Sequence, residues 1–171
     1  MPLRDILAPG LRVAIVGTIA AWDRAALEHY YATPGNSFWL LLHESGLTPV
    51  RLEPGDEHRL PEFGIGLTDL VRTEPSPRGE PPRFDVAGFH RVLRRARPGM
   101  VAFVSKTAAS SYARAAGERL PRGYGELAWP VAGRPAFVLP GPSGANNGMH
   151  LPLRIALWRD LADALDTLGR E

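Results

Sequence analysis

The sequence predicts an α/β fold with a mostly parallel sheet and helices on both of its faces. Four short apolar runs have the length of buried strands and end at glycine, proline or polar residues. Segments with helical spacing of apolar residues lie between these runs. Strands that alternate with helices are joined by crossover connections, and such connections favour parallel pairing.

The strand and helix candidates follow one another along the chain. The first strand candidate, Leu11–Val16, is preceded by residues 2–8, which fit either a short helix or an extended lead-in. A helical turn is plausible over Asp23–Tyr31, and apolar spacing with Gly46 as a stop signal favours a helix over Asn36–Ser45. The later strand candidates are Gly66–Val71, Met100–Val104 and Ala136–Leu139. The later helix candidates are Phe84–Arg97, Thr107–Gly117 and residues 151–168.

Residues 73–83 are predicted to form a loop that leaves the end of the second strand candidate. The stretch is rich in proline, which removes hydrogen-bond donors, and contains glycine, which adds conformational freedom. The helix candidate after this loop carries four arginines, which we interpret as a solvated outer face: Arg91, Arg94, Arg95 and Arg97.

Length and composition indicate one globular domain over residues 1–171. Hydrophobic residues make up 44% of the chain and charged residues 22%, which is ordinary for a globular protein. The chain has no cysteine, so disulfides and thiol-based metal sites are excluded. With no apolar run of about 18 residues and no signal-peptide pattern, a soluble, cytoplasmic protein is expected. A monomer is a separate expectation.

The cationic residues are almost entirely arginines, with Lys106 as the single lysine and a net charge of +2. A guanidinium group suits phosphate, so nucleic acid is a permitted partner. A genome whose codons favour arginine explains the same bias, and composition alone does not separate these explanations.

Three loops are expected to meet at the carboxyl edge of the sheet, where ligands bind in parallel α/β folds. They are residues 17–39, 70–83 and 140–150. The first loop carries His29 and aromatic side chains that suit a flat heteroaromatic ligand. Phe38 and Trp39 are equally consistent with the core, whereas the adjacent Tyr30 and Tyr31 are hard to bury together, so one of them is expected to line the cleft.

Asp69 is the most informative carboxylate, because it lies inside an apolar strand candidate near its carboxyl end. Burial of a charge there is unfavourable unless a partner or a ligand compensates for it. Two interpretations stay open at this point. Asp69 either caps or pairs with a nearby arginine, or it reads a base or activates water in the cleft.

Several other classes of site fit the sequence less well. Ser143 in a Gly-Pro-Ser-Gly segment suggests a serine hydrolase, but its surroundings do not match the nucleophile elbow. A flexible polar loop of this kind more naturally lets the backbone approach a ligand closely. The five histidines lack the spacing of metal ligands, and neither a phosphate-binding P-loop nor a complete dinucleotide fingerprint is present.

Taken together, the motifs resemble the mismatch-specific uracil/thymine-DNA glycosylases of the uracil-DNA glycosylase superfamily. The resemblance extends from Val16 to about Ala145 and consists of motifs in the same order and at similar spacing: HYYA-x-PGN-x-FW, SGL, LPEFGIGLTDLV, VAFVSK and PSGA. The family fold is a three-layer α/β/α sandwich with a four-stranded parallel sheet. The implied activity is removal of uracil, or another deaminated base, from single- or double-stranded DNA without a metal or organic cofactor.

The resemblance also implies roles for residues of the cleft. Tyr31 takes the place of the ring that stacks on the flipped base, and Asn36 falls on a Pro-x-Asn turn. Asp69 falls where relatives carry a base-contacting Asn, and we expect it, with Asn36 second, to activate water. The expected base-binding groups are Tyr31, Gly17, Thr18, Ile19, His29 and Tyr30. The expected DNA-binding residues are Ser143, Gly144, Ala145, Asn146 and Asn147, with Arg72, Arg78 and Arg83 as phosphate contacts.

The chain departs from the family pattern at its first motif. Relatives carry Gly-Ile-Asn-Pro-Gly, whose Asn positions the attacking water, but Ile19 occupies that position here. An aliphatic side chain cannot hold water. Two functions therefore follow from the sequence: a monofunctional glycosylase that uses another side chain, or a non-catalytic binder of damaged bases or abasic sites.

Overall fold

A central five-stranded sheet organises the computed structural model, which describes residues 4–19, 29–71, 78, 84–144 and 149–170. The strands are β1 (Val13–Ile19), β2 (Ile65–Val71), β3 (Met100–Val104), β4 (Gly125–Glu126) and β5 (Ala136–Leu139). The α-helices are α1 (Phe38–Glu44), α2 (Val86–Ala96), α3 (Lys106–Ala116) and α4 (Leu151–Leu168), and a 3₁₀ helix covers Glu57–Phe63. None of the described helices is long and apolar enough to cross a membrane.

The strand order is β2-β1-β3-β5-β4. Neighbouring strands among β2, β1, β3 and β5 pair in parallel. This confirms the predicted α/β fold and its four parallel strands. The sheet also has a fifth strand, β4, which pairs antiparallel with β5 at the edge. The sequence prediction of four strands missed β4 because a two-residue strand leaves no apolar run to detect.

Each face of the sheet is covered by a helical layer. Side chains of a strand point alternately to opposite faces, so Val13 and Ile15 pack into a core with α1 and α4, whereas Ala14 and Val16 pack into a second core with α2 and α3. The architecture is therefore the expected three-layer sandwich.

Local signals set the helix ends near the predicted positions. Asp85 accepts a hydrogen bond from the Gly88 backbone N–H at 3.0 Å and caps α2, as expected for an N-cap aspartate. Gly117 adopts a left-handed conformation and ends α3. The four arginines of the predicted solvated face, at positions 91, 94, 95 and 97, are exposed.

Residues 4–8, the described part of the predicted lead-in, are extended rather than helical. Ile6 forms an antiparallel bridge with Leu67 of β2, with N–H···O distances of 2.9 and 2.8 Å. The predicted helical turn at 23–31 lies mostly outside the described residues, and so does the 73–83 loop apart from Arg78.

Candidate active site

A pocket of about 440 Å³ lies at the carboxyl ends of the parallel strands. The lining residues are Gly17, Thr18, Tyr31, Thr33, Pro34, Asn36, Asp69, Val104, Ser105, Gly141, Pro142, Ser143 and Gly144. The structure thus brings together two of the three predicted loops and the end of the strand that precedes the third. This is the edge at which ligands bind in parallel α/β sheets.

Asp69 is buried at this edge, with 6% of its surface exposed. Burial disfavours the charged form, and it raises the pKa of Asp69 from 3.8 to about 6. Among the described residues, no basic side chain forms an ion pair with it. The interpretation that pairs Asp69 with an arginine therefore finds no support in the described part of the chain, and a titratable carboxyl group faces the pocket.

Gly17 lies directly across from Asp69 on the neighbouring strand. A Cβ atom at Gly17 would lie 2.5 Å from Oδ1 of Asp69 and 3.3 Å from the hydroxyl oxygen of Tyr31. Real Cβ atoms do not approach other atoms at 2.5 Å, so the absence of a side chain at Gly17 creates the space in which the carboxyl and the phenol converge.

The adjacent tyrosines have different environments. Tyr30 is buried, and its hydroxyl donates to the backbone oxygen of Arg4 at 3.1 Å. Tyr31 lines the pocket and stacks on Phe38 with ring centroids 3.8 Å apart. The structure thus brings Tyr31, but not Tyr30, into the pocket, while Phe38 and Trp39 belong to the core.

The Tyr31 hydroxyl is a neutral hydrogen-bonding group. Burial, and then the nearby charge of Asp69, raise the pKa of Tyr31 well above its usual value. The phenol therefore keeps its proton in the pocket and can donate a hydrogen bond.

Asn36 lines the pocket with part of its hydrogen-bonding capacity already in use. The side-chain oxygen of Asn36 accepts a hydrogen bond from the Phe38 backbone N–H at 2.9 Å. The backbone N–H of Asn36 donates to the backbone oxygen of Thr33 at 3.0 Å. These contacts fix the turn before α1. The side-chain NH₂ group is then the part of Asn36 best suited to a ligand, as a donor.

His29 is not among the residues that line the pocket. Its Nδ1 atom lies 2.7 Å from Oε1 of Glu57, and the other oxygen of Glu57 accepts from the Gly55 N–H at 2.6 Å. The expected base-binding role of His29 therefore has no support from this geometry. Thr18 does line the pocket, and Ile19 continues β1 opposite Val71.

The loop after β5 docks against the loop that carries Asn36. The Ser37 N–H donates to the Pro142 backbone oxygen at 2.8 Å. A Cβ at Gly144 would lie 3.1 Å from the backbone oxygen of Gly35, so glycine permits this close approach. Ser143 and Gly144 line the pocket mouth and are exposed.

Among the other expected DNA contacts, only Arg78 belongs to the described residues. Arg78 is exposed and does not line the pocket. The remaining expected contacts lie outside the described residues: Arg72, Arg83, Ala145, Asn146 and Asn147.

Ser105 lines the pocket but was not among the predicted site residues. It follows β3, and its side-chain oxygen accepts from the Ala108 N–H at 3.1 Å as the N-cap of α3. A serine between a strand and a helix is a recognisable N-cap signal. Nothing in the residue type reveals the backbone angles of Ser105, φ 129° and ψ 156°.

A larger groove, of about 860 Å³, runs between α2 and residues 5–9. Its charged lining consists of Asp5, Arg91 and Arg95, and both arginines are exposed. The smaller pocket is the candidate active site, because it combines a buried carboxyl group, a stacked aromatic ring and the strand ends.

The model of the family described as "Uracil DNA glycosylase superfamily" matches residues 5–162, a span that includes all five strands and every described pocket residue. The resemblance to the mismatch-specific branch within this superfamily stays a prediction. The chain belongs to the uracil DNA glycosylase superfamily and is therefore a DNA-repair hydrolase of the glycosylase type, acting on damaged bases in DNA.

Proposed function

We propose that this protein hydrolyses the N-glycosidic bond of uracil, or of another deaminated base, in a nucleotide that has turned out of the DNA stack. The observation that carries the proposal is the buried Asp69 carboxyl group at the edge of the pocket, next to Gly17 and the Tyr31 hydroxyl. Extrusion of the base costs a few kcal/mol and is easiest at mismatched or single-stranded sites.

The proposed reaction breaks the bond between C1′ of the sugar and the base nitrogen. The bonding electrons leave with the base, which becomes an anion, while the sugar becomes an oxocarbenium ion. Ionised Asp69 stabilises the cationic sugar and accepts a proton from the water whose oxygen bonds to C1′. The NH₂ group of Asn36 and backbone N–H groups near Gly17–Ile19 are the proposed donors to the base anion.

Since Asp69 acts in its ionised form, excision should depend on pH. The pKa of Asp69 is about 6, so we expect the single-turnover rate to fall about tenfold per pH unit below that value and to level off above about pH 7. Quenched single-turnover assays from about pH 5 to 8 measure this dependence of the excision rate on pH. A rate independent of pH from about 5 to 8 would contradict an ionised Asp69 in the chemical step.

The alternative is a binder that recognises damaged bases or abasic sites without hydrolysis. Ile19 favours it, because the family motif carries a water-positioning Asn at this place. In that case Asp69 reads the base edge, and damaged DNA binds tightly but stays intact.

Product analysis separates the two functions. Duplex and single-stranded oligonucleotides that contain uracil, hypoxanthine, xanthine or a thymine mismatch are incubated with the protein and then cleaved with alkali at abasic sites. We expect strand breaks at one or more of these bases. Tight binding without breaks at any base, in excess protein and over long incubation, would establish the binder.

A further inference from the structure

We propose that the groove between α2 and residues 5–9 binds an acidic peptide segment of a partner protein and takes up an apolar side chain of that segment. The groove and the active-site pocket have no lining residue in common. This inference is therefore independent of the proposed hydrolysis.

Backbone hydrogen bonds hold both walls of the groove in place. The Gly10 N–H donates to the backbone oxygen of Ala96, the last residue of α2, at 2.9 Å. In the other wall, Ile6 is bridged to Leu67 of β2 with N–H···O distances of 2.9 and 2.8 Å. A surface that is already fixed loses little conformational entropy when a partner binds, so the groove is preorganised.

Apolar side chains from both walls line the groove. They are Leu7, Ala8, Pro9, Val92 and Ala96. Val92 keeps 37% of its surface exposed, although it lies on a helix whose other large apolar side chains, Phe89 and Leu93, are buried. A contiguous apolar surface that polar residues surround is typical of a site that buries a side chain of another protein.

The groove is positively charged beside this apolar lining. Arg91 and Arg95 line it one helical turn apart, and both are exposed. Arg91 approaches Asp85 at 3.9 Å, but both side chains are 72% exposed, and such a pair contributes little. Asp5 is the acidic residue of the lining. Three more exposed arginines are neighbours of lining residues in sequence: Arg4, Arg94 and Arg97. Arginines thus outnumber the two carboxylates, and a segment rich in Asp and Glu complements this charge.

The position of the groove separates it from DNA in the pocket. Ala96 precedes Met100, the first residue of β3, by only a few residues, so the Gly10–Ala96 contact lies near the amino edge of the sheet. The seven residues of β1 span about 20 Å from there to the carboxyl edge, where the pocket lies. DNA and a partner protein can therefore be bound at the same time. Arginines around an apolar centre are typical of protein interfaces, whereas phosphates offer nothing to the apolar lining.

Binding of fluorescein-labelled peptides tests this proposal. The probes are short peptides rich in Glu and Asp with one Leu at each position in turn, and the same peptides with Lys in place of every acidic residue. We expect the best acidic probe to bind about tenfold or more tightly than its lysine counterpart, with an affinity that falls as salt rises. The amide NMR signals that this probe shifts should belong to α2 and residues 5–9.

Reversal of the groove charge should weaken the best acidic probe about tenfold or more in the double variant Arg91→Glu, Arg95→Glu, because attraction becomes repulsion. Val92→Ser should reduce the advantage of Leu over Ser in the probe. The matched control is the double variant Arg51→Glu, Arg170→Glu, which changes the net charge equally at exposed residues outside the groove. The control should lose much less affinity, and thermal unfolding should show that all three variants stay folded.

Four outcomes would overturn the proposal. They are equal binding of the acidic and lysine peptides, equal losses in the groove and control variants, an unchanged advantage of Leu in Val92→Ser, and shifted signals away from the groove. If duplex DNA displaces the probe, and the groove variant loses more DNA affinity than the control, the groove belongs to the DNA interface and the peptide proposal is wrong. A protein that binds the probe but excises no base contradicts the proposed hydrolysis alone.

Discussion

Asp69→Asn is expected to lower the single-turnover rate of excision by about 10²–10⁴-fold, the range typical of a lost acid–base group. Asparagine has nearly the same shape as aspartate but cannot accept the proton of water or carry a negative charge beside the cationic sugar. Binding to a non-cleavable uracil analogue should survive, because the amide can still form a hydrogen bond with the base edge.

The same substitution is expected to stabilise the fold at neutral pH. Burial raises the pKa of Asp69 from 3.8 to about 6, so the folded state binds a proton that the unfolded state releases. Stability therefore falls as the pH rises from about 4 to about 6, by up to about 3 kcal/mol. The amide in the Asp69→Asn variant has no charge to bury, so the variant should exceed the wild type in stability above about pH 6, with a difference that shrinks toward pH 4 in thermal unfolding.

Asp85→Asn is the matched control for this experiment. Asp85 is exposed, and asparagine is as good an N-cap as aspartate. The same chemical change there should leave the rate of excision unchanged, because Asp85 is not a pocket residue. A modest change in rate with a shift in base preference would assign Asp69 to base reading instead. Full activity in Asp69→Ala would exclude both roles and transfer the catalytic proposal to Asn36.

The parallel core of the fold was predictable because its signals are local. The apolar runs at Met100–Val104 and Ala136–Leu139 are strands at the predicted boundaries, and the final helix covers the predicted residues 151–168. Asp69 was also identifiable, since a carboxylate inside an apolar strand contradicts the pattern around it. Local patterns of this kind require no knowledge of distant contacts.

The features that were not predicted depend on contacts between distant residues or on backbone angles. His29 precedes the tyrosines in sequence, but Glu57, 28 residues away, holds its ring. Ser105, between β3 and α3, has backbone angles of φ 129° and ψ 156°, and the residue type does not encode them. The close approach of Gly144 to Gly35 likewise exists only once both loops are in place.

Removal of the aromatic ring of Tyr31 is the second substitution with a large expected effect. Tyr31 lines the pocket and rests on Phe38 at a centroid distance of 3.8 Å, so its ring is held in a fixed plane. Stacking of a base on such a ring contributes about 1–3 kcal/mol. Tyr31→Ala should therefore lower single-turnover excision, or base-dependent binding in a non-catalytic protein, by about 10-fold or more.

Two further variants separate stacking from packing and from the hydroxyl group. Tyr31→Leu keeps an apolar side chain against Phe38 but has no aromatic face, so it should lose activity like Tyr31→Ala while unfolding closer to the wild type. Tyr31→Phe keeps the face and removes the hydroxyl near Asp69 and Gly17. If stacking dominates, Tyr31→Phe stays within a few-fold of the wild type. If Tyr31→Phe instead loses as much activity as Tyr31→Ala, the phenol acts through its hydrogen bond. Full activity in Tyr31→Leu would show that the aromatic ring has no part in base recognition.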